Sequence, residues 1–400
     1  MRRGTTITWL IAGLFAAVVL AACGSPPTTE NQTGGDAGGT ESAGGTESAG
    51  GTESGGGQVG EGKGAEALQA VYDEVEGLEG DERREKLISL AQDEGCEISL
   101  YTSTNVDESG PITDAFTDDT DVDISLYRAG SETIVQRVLQ ESQAGYAGAD
   151  VIGNNGPEMT ILDQEGLLLP LETPIKDDIV DFAVFDNWAG FYLNVFVAAW
   201  NTDRISGDEA PQTWQDVLGY GKGLAMEAGD VDWFSTLVKY FQEEEGMSEE
   251  EAVELFKEAA RNSTVVDGHT LMAELLAAGE YDLTTSSYQH RIPQLAKDGA
   301  PVEWQPAVEP AIVRPNGIGI HRDTDCPAGA LLFVEYAMTD AQDMLIEFDR
   351  SPATTKVEGA FPEDVETILV DVEALLEEAD KWDGLYEEVI RESGGEVIED

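Results

Sequence analysis

Side chains that can form hydrogen bonds directly follow several short apolar stretches of the sequence. The first stretch, residues 97–101, predicts a buried strand. It is followed by four residues with hydroxyl or amide groups: Thr102, Ser103, Thr104 and Asn105. In open α/β sheets, ligands bind just beyond the carboxyl ends of the strands. These residues are therefore placed to bind a ligand, although a polar turn that caps the next helix would show the same pattern.

A second polar group lies where the next predicted strand meets a helix. Residues 122–127 read as a strand, and Arg128 and Ser131 follow it. Apolar residues at helical spacing predict that the helix begins near Ser131, which is a favoured N-cap residue. A helix N-terminus that follows a strand attracts anions. Ser131 can therefore contact a ligand, or it can simply cap the helix.

Further polar side chains occupy equivalent positions. Asn154 and Asn155 follow a third predicted strand, and His269 follows a short strand in the second half of the chain. Ser287 and Tyr288 follow another predicted strand. Hydroxyl, amide and guanidinium groups around one aromatic ring suit a small organic or anionic solute, held by hydrogen bonds and helix N-termini.

The order of these elements predicts the fold. Strands and helices alternate from residue 97 onward, which indicates an α/β protein with a mostly parallel, doubly wound sheet. The carboxyl ends of parallel strands meet at one sheet edge, so the polar residues should converge on a cleft. The long apolar stretch 191–200 suits a crossover between two lobes. The strand-like stretch 310–320 could return the chain to the first lobe.

Acidic residues are abundant along the whole chain. The 400 residues include 80 Asp and Glu against 22 Lys and Arg, for a net charge of −58. This charge excludes nucleic-acid binding by a basic surface. Halophilic organisms exploit such acidic surfaces because salt screens the self-repulsion. We interpret the charge as adaptation to salt; capture of cations by the surface is the alternative, but the acids are not localised.

The N-terminus carries the features of an export signal. Residues 1–22 combine Arg2 and Arg3 with an apolar stretch, which is typical of a secretion signal. Leu20-Ala21-Ala22-Cys23-Gly24 resembles the bacterial lipobox, which implies cleavage before Cys23 and lipidation of that residue. We expect a protein that is anchored to the outer face of the cell membrane, or in the periplasm where an outer membrane exists. An uncleaved membrane helix is the alternative, although the apolar stretch is rather short to span a bilayer.

The remaining chain divides by composition. Residues 23–64 repeat Gly, Thr, Glu and Ser and predict a flexible linker. The predicted domains that follow are a first lobe at 65–199, a second lobe at 200–308, a return to the first lobe at 309–357 and acidic C-terminal helices at 358–400.

Several motifs together resemble one family. Glu94-Gly95 followed by Leu100-Tyr101-Thr102-Ser103 is similar to the opening strand of bacterial extracellular solute-binding proteins of the ferric-iron and polyamine type. Ala199-Trp200-Asn201-Thr202 resembles the hinge of these proteins. Pro211 with Trp214 and Asp216, and then Gly221-Lys222-Gly223-Leu224, resembles the start of their second lobe. The resemblance covers roughly residues 85–357.

The resemblance implies a fold and a function. It implies a two-lobed fold of the type II periplasmic binding proteins, in which a cleft at the hinge captures a solute. It also implies that the protein delivers this solute to the permease and ATPase subunits of an ABC importer. We expect a monomer that needs no cofactor.

Iron-binding members of this family hold ferric iron with a His, a Glu and two adjacent Tyr. By motif, these positions fall on Asn105, Asn155, Ser287 and Tyr288. Ferric iron prefers anionic oxygen ligands, which Asn and Ser do not provide. We therefore expect no metal; if iron is bound after all, Tyr288 and His290 are the candidate ligands.

Two other classes of function and one covalent bond stay open at this stage. A secreted enzyme is one alternative, although neither a Gly-x-Ser-x-Gly nor a His-Glu-x-x-His motif occurs. A tethered adhesion module is the other. Cys96 and Cys326 remain once Cys23 carries lipid, and they can form a disulfide in an oxidising compartment or stay free.

Overall fold

A computed structural model describes residues 63–357, 359, 361–362, 364–394 and 397–398. The predicted signal sequence, Cys23 and nearly all of the predicted linker lie outside the described residues. Within the described part of the chain, none of the helices combines the length and the apolar character that crossing a bilayer requires.

The first part of the chain alternates helices and strands after a pair of N-terminal helices. These elements are α1 (Lys63–Val75), α2 (Gly80–Glu94), β1 (Ile98–Thr102), α3 (Val106–Thr120), β2 (Ile124–Arg128), α4 (Ser131–Gln143), β3 (Val151–Asn155) and α5 (Gly156–Gln164). Helix α2 ends at Glu94, and its C-cap is Gly95, whose φ of 63° is the left-handed conformation that glycine adopts without strain.

The middle of the chain begins with a 14-residue strand. These elements are β4 (Trp188–Asn201), α6 (Trp214–Leu218), β5 (Leu224–Glu227), α7 (Val231–Glu243), α8 (Glu249–Ala260), β6 (Thr264–Val266), α9 (His269–Ala277), β7 (Leu283–Tyr288), α10 (Arg291–Lys297) and β8 (Val302–Glu303). Ser248 begins α8 with a reciprocal capping box to Glu251, the pattern that the sequence Ser-x-x-Glu favours.

A second long strand and the C-terminal elements complete the chain. They are β9 (Ala311–Ile320), α11 (Pro327–Met338), α12 (Asp340–Glu347), β10 (Ser351–Pro352), β11 (Thr367–Leu369), α13 (Val372–Glu377), α14 (Ala379–Arg391) and β12 (Val397–Ile398).

One sheet runs through the described molecule in the order β12-β6-β5-β7-β4-β9-β3-β1-β2, with the short strands β8, β10 and β11 at its side. We call the part around β1, β2 and β3 the first lobe and the part around β5, β6 and β7 the second lobe. Pairing is parallel inside each of these sets. The strands β4 and β9 run antiparallel to each other and cross between the two lobes.

This topology confirms the predicted two-lobed α/β fold. The predicted crossover at 191–200 is part of β4, and the predicted return at 310–320 is β9. Strand β4 is buried at all but one of its residues, which explains its nearly continuous apolar sequence.

The C-terminal segment packs against the second lobe and pairs with the crossing strand β9. Trp382 and Tyr386 of α14 are buried in the second-lobe core, and the ring of Tyr386 lies 5.1 Å from that of Phe234. Strand β12 pairs with β6, while β11 pairs with β9. Although the segment is acidic overall, its helices each have one apolar face, and that face packs against the core of the second lobe.

A disulfide joins Cys96 to Cys326, and their Cα atoms are 6.1 Å apart. The bond links the entry to β1 with the residue that precedes α11. It confirms the paired alternative for these two cysteines and ties together segments 230 residues apart in sequence.

Candidate functional site

A cleft of about 350 Å³ lies at the carboxyl ends of the strands, with walls from both lobes. Five residues predicted from the sequence line its first-lobe wall: Ser103, Asn105, Arg128, Ser131 and Asn155. The predicted residues His269 and Tyr288 line its second-lobe wall. The base of the cleft is formed where the crossing strands contribute Tyr192, Asn194 and Arg314.

Four other predicted residues lie beside the cleft and not on its wall. Each is at most 3% exposed: Thr102, Thr104, Asn154 and Ser287. Thr102 bonds Thr104, Asn154 donates to the carbonyl of Ser131, and Ser287 bonds Thr284. The strands extend further than the sequence indicated, so β1, β3 and β7 include Thr102, Asn154 and Ser287. Alternating residues of a strand point to opposite faces, which turns some of these side chains into the core.

Three helix N-termini meet at the first-lobe wall. Asn105, Gly130 and Asn155 are the N-cap residues of α3, α4 and α5; neither asparagine side chain caps its own helix, and Gly130 has no side chain to do so. The predicted N-cap Ser131 is instead the first residue of α4, since Gly130 takes the cap position. Uncapped backbone N–H groups carry partial positive charge, so this wall favours an anionic group.

The polar side chains of this wall position one another. Asn155 donates to the hydroxyl of Ser131 at 2.6 Å. Arg128 donates to the side-chain oxygen of Asn105 at 2.9 Å. Arg128 remains exposed, so its guanidinium can still contact a ligand from the mouth of the cleft.

Two buried arginines also line the cleft, and the sequence analysis did not identify either of them as a site residue. Arg314, on β9, is paired with Asp232 and donates to the phenolic oxygen of Tyr288 at 2.7 Å. Arg350 donates to Glu108 at 2.6 Å and to Asn194 at 3.1 Å. Asp232 is 82 residues from Arg314 in sequence, and Glu108 is 242 residues from Arg350, so no local sequence motif predicts these ion pairs.

A half-buried glutamate lies close to one of these arginines, Arg314. Glu158 lines the cleft, and its Oε2 has no hydrogen-bond partner among the described residues. Burial raises the pKa of Glu158, while the positive charge of Arg314 opposes this effect. The glutamate favours a ligand that brings a proton donor or a positive charge to this end of the cleft.

The second-lobe wall brings together Glu227, Asp230 and His269. Glu227 ends β5, Asp230 precedes α7, and His269 begins α9. Nε2 of His269 lies 2.9 Å from Oδ1 of Asp230. Burial and the neighbouring Asp230 raise the pKa of Glu227 to about 7. Burial alone would lower the pKa of His269, but the carboxylates of Asp230 and Glu227 outweigh it and raise that pKa.

The two candidate ferric-iron ligands lie close together, with ring centres 5.6 Å apart, but only Tyr288 lines the cleft. His290 is buried away from the cleft wall, with Nε2 4.0 Å from Glu108. Tyr288 stacks on His269 with ring centres 4.0 Å apart, and its hydroxyl is held by Arg314. Burial raises the pKa of Tyr288, which opposes the phenolate form that ferric iron prefers.

A two-lobed α/β fold with antiparallel crossing strands and a polar cleft at the strand ends defines the type II periplasmic binding proteins. The sequence model of the bacterial extracellular solute-binding proteins matches residues 112–366. The chain therefore belongs to the family of bacterial extracellular solute-binding proteins, whose members bind solutes and are not enzymes. No curated protein matches the sequence.

Solved structures share this fold at low sequence identity. Iron-bound HitA from Pseudomonas aeruginosa is 16% identical, with a TM-score of 0.61 over 73% of this chain and 99% of HitA. AfuA from Actinobacillus pleuropneumoniae, solved with fructose-6-phosphate, is 21% identical, with a TM-score of 0.64 over 75% and 99%. The substrate-binding protein of an ABC transporter from Agrobacterium tumefaciens is 13% identical, with a TM-score of 0.62 over 74% and 96%.

Proposed function

We propose that this protein is the substrate-binding lipoprotein of an ABC importer, and that it captures a small polar solute between its lobes. The observation that carries the proposal is the cleft at the strand ends, whose walls come from both lobes and whose base is formed by the crossing strands. A solute in this position contacts both walls and the base of the cleft at once. Binding therefore favours the closed arrangement of the lobes, which a permease can recognise.

Contacts across the cleft support such closure. The side-chain amide of Asn105 lies 3.5 Å from the hydroxyl of Thr270, so the two walls approach each other at the first-lobe strand ends. This pair bridges the two walls, and both of its residues line the cleft. A bound solute would add hydrogen bonds from both walls, and these bonds are lost when the lobes separate.

The first-lobe wall supports an anionic group on the solute. The N-termini of α3, α4 and α5 and the exposed guanidinium of Arg128 all attract negative charge. Arg314 and Arg350 are already paired with Asp232 and Glu108, so they contribute less net charge. A carboxylate or a phosphate group fits this wall.

The position in the cell follows from the predicted N-terminal signal. Lipid on Cys23 would hold the protein at the outer face of the membrane, and residues 24–64 would let the lobes reach the permease. We further propose lobe boundaries near residues 200 and 309, and that the protein acts without catalysis. The concave cleft favours capture over adhesion, because adhesion uses an exposed convex surface.

A thermal-shift screen of the full chain in mild detergent at high salt tests the proposal. The panel contains inorganic phosphate, sugar phosphates, phosphonates, small carboxylates, polyamines and thiamine. A solute present at about a hundred times its Kd should stabilise the fold by about 2.7 kcal/mol. A shift that is lost in Asn155→Ala supports capture in the cleft. The proposal would be contradicted if no compound in the panel stabilised the protein. It would also be contradicted if the Asn155→Ala variant showed the same thermal shifts as the wild type.

A further inference from the structure

We propose that Glu227, Asp230 and His269 form a binding site for one divalent transition-metal ion on the second-lobe wall of the cleft. The proposal rests on the proposed function only in one respect, namely that the ion is cargo or part of the cargo. Its three ligands are distinct from Tyr288 and His290, the candidate iron ligands of the sequence, and from the motif positions Asn105, Asn155 and Ser287.

The three side chains converge from three different elements. One ligand atom from each of them lies within 4.8 Å of the others. Two donors that are each about 2.1 Å from one ion are at most about 4.2 Å apart. The side chains can therefore close on a single ion by movements of under about 1 Å, a distance that rotamer adjustment covers.

Unpaired polar atoms inside the cluster provide an independent observation. Asp230 is 1% exposed, and its Oδ2 has no hydrogen-bond partner among the described residues. Nε2 of His269 is buried and lacks an aligned partner in the same part of the chain, although Oδ1 of Asp230 is close to it. Buried polar atoms are nearly always paired. A metal ion bound between the three side chains would satisfy both atoms.

The charge of the cluster calls for a cation. Glu227 and Asp230 place two carboxylates against one imidazole. Arg314 is the neighbouring buried guanidinium, but it is paired with Asp232 and Tyr288 and does not bond the cluster. Two buried carboxylates close to each other repel, and this repulsion is relieved by a divalent ion between them.

Outer contacts hold the proposed ligands in place. The backbone N–H of Gly268 donates to Oε1 of Glu227 at 3.0 Å, and that of Gly229 donates to Oε2 at 2.6 Å. The hydroxyl of Tyr386 donates to the backbone oxygen of Glu227 at 2.6 Å. The ring of His269 is stacked on Tyr288. Metal ligands are characteristically oriented by hydrogen bonds of this kind.

The donor set selects the class of metal. One imidazole nitrogen with two carboxylate oxygens suits zinc and its first-row neighbours, whereas magnesium and calcium prefer oxygen donors alone. Three protein ligands leave a coordination position open toward the cleft, as in sites that bind an exchangeable ligand. An anionic group on a solute could occupy this position.

Calorimetry with zinc chloride tests the inference on the full chain, after treatment with EDTA and dialysis. Excess magnesium chloride and high salt in the buffer suppress binding to the many surface carboxylates. We expect one zinc ion per chain. We expect His269→Gln and Asp230→Asn to weaken zinc binding at least about tenfold, since even outer partners of metal ligands contribute that much. Glu250→Gln, an exposed acid at the start of α8, is the matched control and should bind as the wild type does.

Cobalt provides a second readout that does not depend on affinity. A cobalt(II) complex with the wild-type chain should show visible absorption from a low-coordinate site with a nitrogen ligand, and His269→Gln should lose it. Far-ultraviolet circular dichroism identifies variants that fail to fold, and Glu227→Gln then replaces the affected variant.

The outcomes separate this inference from the proposed function. The metal site is overturned if the wild type binds no zinc. It is also overturned if wild type, His269→Gln and Asp230→Asn bind zinc with equal affinity. If an organic solute still stabilises the metal-free chain, the proposed function stands without a metal. If zinc binds at the three residues while the solute panel remains silent, the metal itself is the cargo.

Discussion

Arg314 connects the base of the cleft to its second-lobe wall by donating to the phenolic oxygen of Tyr288 at 2.7 Å while it is paired with Asp232. Arg314 lies on the crossing strand β9, Tyr288 ends β7, and Asp232 is in the first turn of α7. All three are within the second lobe or on the strand that enters it. The geometry of the second-lobe wall therefore depends on the guanidinium group of Arg314, which lies on the crossing strand.

The first prediction concerns this buried ion pair. Arg314→Gln should lower the free energy of unfolding by about 3–5 kcal/mol, because it leaves Asp232 buried without its partner. The double variant with Asp232→Asn should recover part of the loss, since no charge is then left uncompensated. Urea denaturation measures both. Arg391→Gln, on an exposed arginine, is the control and should change little. An equal loss in single and double variants would contradict the pairing.

Tyr288 should affect binding more than folding. Tyr288→Phe keeps the stacking on His269 but removes the acceptor for Arg314, whereas Tyr288→Ala removes both. We expect the affinity for a solute found in the screen to fall in both variants, and further in the alanine variant. Calorimetry provides the affinities, and Tyr281→Phe, on a tyrosine outside the cleft lining, should bind as the wild type does. Unchanged affinity in Tyr288→Ala would refute a role in binding.

The disulfide should stabilise the fold. Replacing Cys96 and Cys326 together by Ser should lower the free energy of unfolding by about 2–4 kcal/mol, the range typical of lost disulfides. Thermal unfolding of wild type and double variant, each with and without reductant, measures this effect. Reductant should lower the melting temperature of the wild type alone. If reductant left the melting temperature of the wild type unchanged, the disulfide would make no contribution to stability.

His290 should make the fold sensitive to acid. Burial lowers its pKa well below the ordinary value, and the charge of Arg350 adds to this effect. Below about pH 6.5, His290 binds a proton in the unfolded chain but stays neutral in the folded chain. The free energy of unfolding therefore falls as the pH drops from about 6.5 toward the pKa of His290 in the folded chain. Each pH unit in this window costs up to about 1.4 kcal/mol.

The comparison with His290→Gln isolates this effect from the many carboxylates. Between neutral pH and about pH 5, the wild type should lose more stability than His290→Gln, since only the wild type carries the titrating group. Urea denaturation at each pH gives the two curves. Parallel curves would mean that His290 is protonated alike in the folded and unfolded chains.

Cys23 should determine attachment to the membrane. Cys23→Ala removes the thiol that the lipobox resemblance marks for lipidation, so the exported protein should appear in the soluble fraction. Fractionation followed by immunodetection measures the distribution, and Cys96→Ala, which leaves the lipobox intact, is the control. Retention of the Cys23→Ala protein in the membrane fraction would point to a different anchor.

Local sequence patterns predicted the architecture but placed the strand ends too early. The alternation of apolar strands and amphipathic helices revealed the two lobes, and the long apolar stretch within β4 revealed the crossover. Thr102, Asn154 and Ser287 looked like loop residues because they are small and polar. In the structure they extend their strands: Thr102 is β-branched and favours a strand, and pairing with neighbouring strands holds Asn154 and Ser287 in theirs.

The sequence by itself determined the fold class, the family resemblance and most of the first-lobe wall of the site. Those features depend on residues that are close in the chain, such as Asn105 after β1 and Asn155 at the end of β3. The sequence also pointed to His269 and Tyr288 on the second-lobe wall, but only the tertiary structure added Glu227 and Asp230 to that wall and supplied the base of the cleft. Glu227 and His269 are brought together by adjacent parallel strands, and Arg350 meets Glu108 across 242 residues. In a chain with 80 acidic residues, no local signal distinguishes a buried carboxylate from a solvated one, because only packing decides which of them loses its water.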